Sequence, residues 1–389
     1  MKIGIFGGTF NPPHRGHLNA AAAAIEALGL SKLYVVPTGE PPHKALPEGT
    51  PSPEARYRMA QLLFAGDTRI SVLDLELRRP GPSYTIDTVL EIKDRHPDAP
   101  IYLLMGTDMF LSLETWYRVE ELLENMTPAV FARAEGQTEA IGSYAAGLNA
   151  KYGVEPALID YALLDTSSTF LREVLSDRQG FDLVGDTVYR EIIRHGYYGA
   201  KPAFPWLREQ AYAMLKPKRV RHVQGTEEEA VRLAKRWGVP EDLAREAAIL
   251  HDITKVFDQR AQLRICEKYD IVMDNALVEN EKLIHAKTGA ILARNEFSIC
   301  DAVYEAILCH TTGRAEMTLL DKVLYMADYI EPNRDFPGVE RLRALAYVDL
   351  TAAVAYGLEL TALELRERGA PLHPRSEAAA AWLRQTREG

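Results

Sequence analysis

Cysteine is scarce in this 389-residue chain: Cys266, Cys300 and Cys309 are the only three, and no Cys-x-x-Cys spacing occurs. This argues against a disulfide framework and a thiolate zinc site, and leaves the three as small apolar residues for a core. No apolar run approaches the roughly 18 residues that a membrane span requires. The opening Met-Lys-Ile-Gly-Ile-Phe-Gly-Gly reaches a glycine turn too early for a signal peptide, so the expectation is a cytoplasmic protein with no membrane partner. Positive charge is in deficit. A net charge of −10 repels an extended polyanion, which argues against long nucleic acid as a partner but leaves room for a local basic pocket around a small phosphate compound. The Gly-Lys-Ser/Thr of a Walker A loop and the Gly-x-Gly-x-x-Gly dinucleotide turn are also missing, so the usual signatures of ATPases and dehydrogenases are absent. Low-complexity tracts and internal repeats are lacking too.

What is present is enough apolar sequence, 47% of residues, to fill two interiors, and the length favours two domains. In the first half, short β-branched runs over 2–6, 33–36, 70–73, 101–105 and 129–131 alternate with helical patterns over 17–28, 53–64, 85–95 and 119–123. That rhythm predicts a parallel, Rossmann-like α/β sheet, with ligands outside the carboxyl ends of the strands. The loops at Gly7, Pro37, Gly106 and Thr166 should then face one crevice. A proline-containing connector, 200–205, follows the first domain (1–199), and 206–389 reads as all-α, with helices over 227–237, 241–253, 285–295, 300–310, 319–329 and 350–367.

The first strand runs into Gly7-Gly8-Thr9-Phe10-Asn11-Pro12-Pro13-His14-Arg15-Gly16-His17 and then an alanine-rich helix. Glycines admit a phosphate close to backbone amides, and the positive end of the helix points at the same place. A lone histidine there is more often a plain polar residue. Two of them flanking a glycine directly after a strand suit the charge that builds on phosphoryl oxygens during displacement. A second cluster, Asp165-Thr166-Ser167-Ser168-Thr169-Phe170-Leu171-Arg172, reads as another helix start that caps free amides or binds phosphate, with Arg172 one turn in.

Together these two elements resemble the nucleotidyltransferase superfamily over roughly 1–199. The resemblance narrows to nicotinate mononucleotide adenylyltransferases through Pro41-Pro42-His43-Lys44, Pro82-Ser83-Tyr84-Thr85-Ile86-Asp87-Thr88, Gly106-Thr107-Asp108-Met109-Phe110 and Trp116-Tyr117. It implies that His14 and His17 are catalytic and contact the reacting phosphates, within a nucleotide site formed by Gly7, Gly8, Thr9, Phe10, Ser168 and Thr169. It further implies that Gly106 and Asp108 hold adenosine, Lys44 and Arg172 neutralise pyrophosphate, and Trp116 stacks on the pyridine ring beside Thr85. Backbone amides near Thr85 and Tyr117 would suit a carboxylate, hence nicotinate rather than nicotinamide. The implied partners are ATP, carried with Mg²⁺, and nicotinate mononucleotide. Phe131-Ala132-Arg133-Ala134 departs from the family's Arg-Pro-Gly and leaves the role of Arg133 open.

Beyond the connector, His222, His251, His285 and His310 sit in helical patterns beside residues suited to metal or phosphate; His251 is followed by Asp252, and Asp328 lies in Tyr-Met-Ala-Asp-Tyr-Ile-Glu-Pro. Nitrogen and carboxylate ligands without thiolates suit a hard or borderline cation such as Fe, Mn, Mg or Zn. The ordered set resembles the HD superfamily of metal-dependent phosphohydrolases, and His285 and His310 resemble the extra ligands of members that hold two metals. The resemblance therefore implies one or two divalent transition metals, iron first and manganese or zinc otherwise, on His222, His251, Asp252, His285, His310 and Asp328, with Asp252 also catalytic. The contexts His222-Val-Gln-Gly-Thr, His251-Asp-Ile-Thr-Lys255, His285-Ala-Lys-Thr-Gly and His310-Thr-Thr-Gly313 look like bacterial HD proteins that split diadenosine tetraphosphate into two ADP. Lys255, Arg314 and Lys322 are the candidates to hold the polyphosphate.

Three rivals stand beside this reading. The first half could activate another phosphate such as phosphopantetheine. The HD half could hydrolyse another nucleotide, or bind nucleotide and metal only as a sensor regulating the synthase. An aminoacyl-tRNA synthetase relative would share the His-x-Gly-His element, but no Lys-Met-Ser-Lys-Ser segment occurs. The assembly state is left open, a homo-oligomer included.

Overall fold

The computed structural model describes residues 1–39, 41, 45–131, 138–160, 164, 166–271 and 281–388. The chain divides into two compact units, Met1–Lys201 and Pro202–Gly389. Phe204 and Pro205, expected at the end of a connector, instead form the first turn of a helix, where the fixed φ and missing N–H of proline are tolerated.

Among the described residues the first unit contains six parallel strands: β1 (Ile3–Gly8), β2 (Lys32–Pro37), β3 (Ile70–Val72), β4 (Ile101–Gly106), β5 (Thr127–Phe131) and β6 (Ala157–Ile159). Their order is β3-β2-β1-β4-β5-β6. Both faces are covered, which is why the strands read as near-continuous apolar runs. Ile3, Ile5, Leu103 and Met105 pack into one layer, and Leu33, Val35, Leu104 and Ala129 into the other. The helices are α1 (Arg15–Leu28), α2 (Pro53–Phe64), α3 (Thr85–Arg95), α4 (Thr107–Leu111), α5 (Val119–Asn125), α6 (Thr138–Tyr152), α7 (Ser168–Val174), α8 (Phe181–Val184) and α9 (Asp186–His195). The alanines of α1 let it lie close on the sheet: Ala20, Ala21 and Ala24 are buried with Ile25. Strand order reverses between β1 and β4, so the crevice of a doubly wound sheet opens at their carboxyl ends.

The second unit is helical: α10 (Phe204–Ala213), α11 (Pro217–Trp237), α12 (Glu241–Leu250), α13 (Gln259–Lys268), α14 (Glu281–Phe297), α15 (Asp301–Cys309), α16 (Leu319–Ile330), α17 (Val339–Ala346), α18 (Leu350–Glu367) and α19 (Pro374–Glu388). Helix α11 begins ten residues before the expected 227, because Pro217 starts it and Gly225 is carried within it. Helices α11, α12 and α16 pack on one another, and α15 packs on α12, α14 and α16. Among the described residues no helix is long and apolar enough to cross a membrane.

Candidate active sites

The crevice of the first unit is a cavity of about 660 Å³. It is lined by Gly7, Gly8, Thr9, Phe10, His14 and His17 from the β1–α1 loop, and by Gly106 at the end of β4. Thr85, Trp116, Tyr117 and Ser168 complete its set of expected residues. Thr166 also faces it, whereas the loop after β2 reaches it through Thr38 rather than Pro37. Asp108 is exposed on the first turn of α4, between the cavity-lining Gly106 and Met109. Thr169 is exposed and accepts a hydrogen bond from Arg172 Nη2 (3.0 Å), while Arg172 Nη1 donates to the Asn11 carbonyl (2.6 Å). Lys44 and Arg133 lie outside the described residues.

His14 caps α1 in extended conformation, and its backbone N–H donates to His17 Nδ1 at 3.2 Å. A backbone amide can only donate, so Nδ1 is the acceptor here and the neutral ring of His17 carries its hydrogen on Nε2. The His14 and His17 rings lie 3.8 Å apart between centroids. Gly16 permits this pairing, because a Cβ there would stand 2.9 Å from His14 Nδ1 and 3.2 Å from Thr166 Cγ2. We expect Gly16→Ala to push the His14 ring aside and slow this site's chemistry by roughly 10²-fold, as a misplacement of about 1 Å can. Single-turnover kinetics would show it; an unchanged rate would contradict the assigned contact.

The loop is held from below by motif residues and by two that the motifs did not reveal, Arg56 and Tyr198. Arg56 is fully buried on α2 and donates to the carbonyls of Thr9 (2.6 Å), Thr38 (2.8 Å) and Gly39 (3.0 Å). Burial lowers its guanidinium from the ordinary value, yet arginine starts so high that the charge persists. Ser168 Oγ donates to the Pro12 carbonyl (2.8 Å) and the Tyr198 hydroxyl to Asn11 Oδ1 (2.9 Å). Phe10 takes a left-handed φ of 48° and is buried against Phe6, Phe64 and His17. Glu76 also lines the cavity; burial raises its carboxyl above the ordinary range even though Thr88 Oγ1 donates to it (3.0 Å).

In the second unit, five elements bring together the six residues expected to bind metal. His222 comes from α11, His251 and Asp252 from the end of α12, His285 from α14, His310 from the end of α15, and Asp328 from α16. His222, His251 and Asp328 can offer ligand atoms within 4.8 Å of one another, as can His251, Asp252 and His310. Three rings are oriented by partners at Nδ1: His251 donates to Ala248 O (2.7 Å), His310 to Ile307 O (2.7 Å) and His222 to Glu331 Oε1 (3.2 Å). Each therefore turns an Nε2 lone pair inward. The inward atoms crowd together, His222 Nε2 lying 3.4 Å from His251 Nε2 and 3.0 Å from Asp328 Oδ1, while Asp252 Oδ1 is buried without a well-directed hydrogen bond. Acceptors facing acceptors in a buried pocket are stable around a cation, and this N/O donor set fits a divalent metal.

Electrostatics agree with that assignment. Burial holds His251 down to about 3 and His285 to about 4. Burial alone would raise Asp252 and Asp328, but the surrounding histidines outweigh it and hold both well below the carboxylate range. With an ordinary histidine value of 6.5, the unfolded chain takes up protons below that pH that the folded unit refuses. Stability from these rings is therefore complete above 6.5 and declines as pH falls toward 4 and then 3. Calorimetry from neutral pH to about 5 should show the second unit's Tm falling; a flat profile would contradict the burial of neutral rings.

Of the expected polyphosphate cations, Lys255 lies on the cluster, its Nζ 3.0 Å from His285 Nε2. Arg314 instead pairs with the buried Asp321 (2.8 Å) and with Glu305 (3.4 Å). Lys322 donates to Thr351 Oγ1 (2.9 Å) and sits over the Trp382 ring. Sequence reasoning missed Glu331, although it stands three residues after Asp328. Its Oε2 accepts from both the backbone and the side chain of Asn333 (2.7 and 2.8 Å), and any Cβ at Gly225 would strike it. We expect Glu331→Ala to lower metal affinity roughly 10- to 100-fold by freeing the His222 ring. Competitive titration with a metal-binding dye checks this, and unaltered affinity would deny Glu331 that function.

The fold and the two sites define the class: a nucleotidyltransferase-type α/β domain followed by a helical domain with a histidine–aspartate centre. Family models agree, with cytidylyltransferase-like matching residues 5–174 and HD domain matching 219–333. A probable nicotinate-nucleotide adenylyltransferase of Geobacillus thermodenitrificans is 37% identical over 201 residues, covering 51% of this chain and 87% of the relative. One from Synechococcus sp. is 38% identical over 198 residues, covering 51% and 94%. A crystal structure from Clostridium acetobutylicum, described as a predicted HD superfamily hydrolase involved in NAD metabolism, has 32% identity and a TM-score of 0.47, covering 48% of this chain and 100% of that one. The chain belongs, through its first unit, to the nicotinate-nucleotide adenylyltransferase family, and it carries an HD domain in its second.

Proposed function

We propose that this is a bifunctional cytoplasmic enzyme: the first unit joins ATP and nicotinate mononucleotide into nicotinate adenine dinucleotide, and the second hydrolyses diadenosine tetraphosphate to two ADP. The observation that carries the first half is the His14–His17 pair, set at the start of α1 on a cavity of a chain whose family relatives are named for that reaction. A phosphate oxygen of the mononucleotide attacks the α-phosphorus of magnesium-bound ATP, and the bond to the bridging oxygen breaks, releasing pyrophosphate. His17 Nε2–H and the first amides of α1 hold the charge that develops on the phosphoryl oxygens. Arg172 and Lys44 meet the departing pyrophosphate, Gly106 and Asp108 the adenosine, and Trp116 the pyridine ring. The first amides of α3, beginning at Thr85, receive no side-chain cap. Their positive end suits a carboxylate, which favours the acid over the amide.

The second half rests on the inward-facing nitrogens and carboxylates of the HD cluster. A divalent metal bound there supplies Lewis acidity and a water of lowered pKa. The chain's part is to aim the Nε2 atoms, keep Asp252 and Asp328 ionised, and place Lys255 beside the cluster.

The test is initial-rate measurement with nicotinate and nicotinamide mononucleotides, plus product chromatography with diadenosine tetraphosphate. A preference for the acid in kcat/KM and ADP as the sole hydrolysis product support the reading. Equal use of both mononucleotides would remove the carboxylate argument, and binding without turnover would reduce the HD unit to a sensor.

A further inference from the structure

Two arginines that no motif singled out stand on the carboxylates of the HD cluster. Arg219 precedes His222 by one turn of α11 and places Nη1 2.9 Å from Asp252 Oδ2. Arg334, just beyond α16, donates Nη2 to Asp328 Oδ1 (2.7 Å) and Nε to the Asp328 carbonyl (2.9 Å). The two anchoring oxygens lie 3.7 and 3.0 Å from the same atom, His222 Nε2, so both guanidinium groups flank one end of the cluster.

Their exposure differs from that of the groups they hold. The side chains of Asp252 and Asp328 are 3% and 20% exposed, whereas those of Arg219 and Arg334 are 29% and 36% exposed. Each guanidinium is thus more exposed than the carboxylate that anchors it, buried in Asp252 and partly buried in Asp328. It carries five N–H donors in a planar fork. Among the described residues Asp252 is the only partner of Arg219, and Arg334 Nη1 meets no acceptor, so donors remain available on the open side. That geometry matches the oxygens of a phosphate group, with the carboxylate behind each arginine fixing its direction. Arg314 also leans on a buried carboxylate, Asp321, but its Nη1 pairs with Glu305 rather than standing on the cluster, and Lys322 is set against Thr351 and Trp382.

We propose that Arg219 and Arg334 form the phosphate-gripping pair of the second site, binding the anionic groups on either side of the phosphorus that is attacked. Lys255 would meet the same chain from the His285 side. This inference rests on the reading of the second unit as a hydrolase of polyphosphate esters, but its test does not depend on turnover.

The experiment is calorimetric titration of the full-length, manganese-loaded chain with inorganic tripolyphosphate and with ADP, for wild type, Arg219→Gln and Arg334→Gln, with bound metal measured in each. We expect the Kd for tripolyphosphate to rise roughly tenfold or more in each variant at unchanged metal content, as for loss of one charge-assisted contact. Arg219→Lys and Arg334→Lys, which keep the charge without the fork, should fall between and carry the test if a glutamine variant does not fold. With diadenosine tetraphosphate, KM should rise more than kcat falls. Unchanged tripolyphosphate binding in the variants overturns the proposal, as does full anion affinity recovered by resaturating metal, which would make the arginines supports for the aspartates alone. Arginine-dependent binding without hydrolysis would uphold the pair and sink the hydrolase reading; hydrolysis with arginine-independent binding would do the reverse.

Discussion

His17→Ala should lower adenylyl transfer by roughly 10²- to 10³-fold, or about 3–4 kcal/mol of transition-state stabilisation, while leaving hydrolysis of diadenosine tetraphosphate within a factor of about two. The magnitude is that of removing one fixed donor from a developing oxyanion, the role we propose for His17. The selectivity follows from the chain's division into two units, each with its own site. The substitution also removes the acceptor for the His14 amide, so the loop loses one internal bond as well as its donor. The loss should fall on kcat, because ATP keeps its contacts along the rest of the cavity. Equal loss of both activities in a folded variant would contradict separate sites.

Asp252→Ala carries the second large effect, in the opposite direction. This carboxylate faces His285 (3.1 Å) and His310 (3.7 Å) through Oδ1 and Arg219 (2.9 Å) through Oδ2. Its removal would take away the metal ligand we propose, and we expect hydrolysis to drop by at least about 10³-fold with lost metal, while adenylyl transfer persists. Asp252→Asn preserves the volume and should behave alike, which separates loss of charge from loss of packing. Metal content by emission spectrometry and parallel rate assays decide the matter; retention of full metal and hydrolysis would remove Asp252 from the centre.

The sequence was most readable where one local pattern determines both structure and chemistry. The β1 run entering Gly7-Gly8 revealed the strand and the cavity-lining loop together, since a buried parallel strand must be apolar and a glycine turn leaves room beside it. The histidine–aspartate cluster of the second unit was likewise visible as a set of candidate residues, because histidine next to aspartate in an apolar helix is chemically conspicuous. Less visible was whatever depended on distant pairing. Arg56 is an ordinary helical arginine until the fold wraps three loop carbonyls around it, and Glu331 passes for a helix-end acid until Gly225 and His222 arrive from 106 and 109 residues away. The partners of Arg314 and Lys322 were equally hidden: their charge and position near the motifs suggested phosphate, and the fold sets them against Asp321 and Trp382. The three-residue strand β6 is too short to show a period, and the start of α11 was hidden because Gly225 interrupts an otherwise helical run.

The most direct test of two separate chemistries on one chain is chromatography of the products formed from diadenosine tetraphosphate by a metal-analysed preparation that also makes nicotinate adenine dinucleotide. Bound transition metal and ADP as the sole hydrolysis product are expected; a metal-loaded preparation that turns over no diadenosine tetraphosphate, or one that yields AMP and ATP, would contradict two such chemistries on one chain.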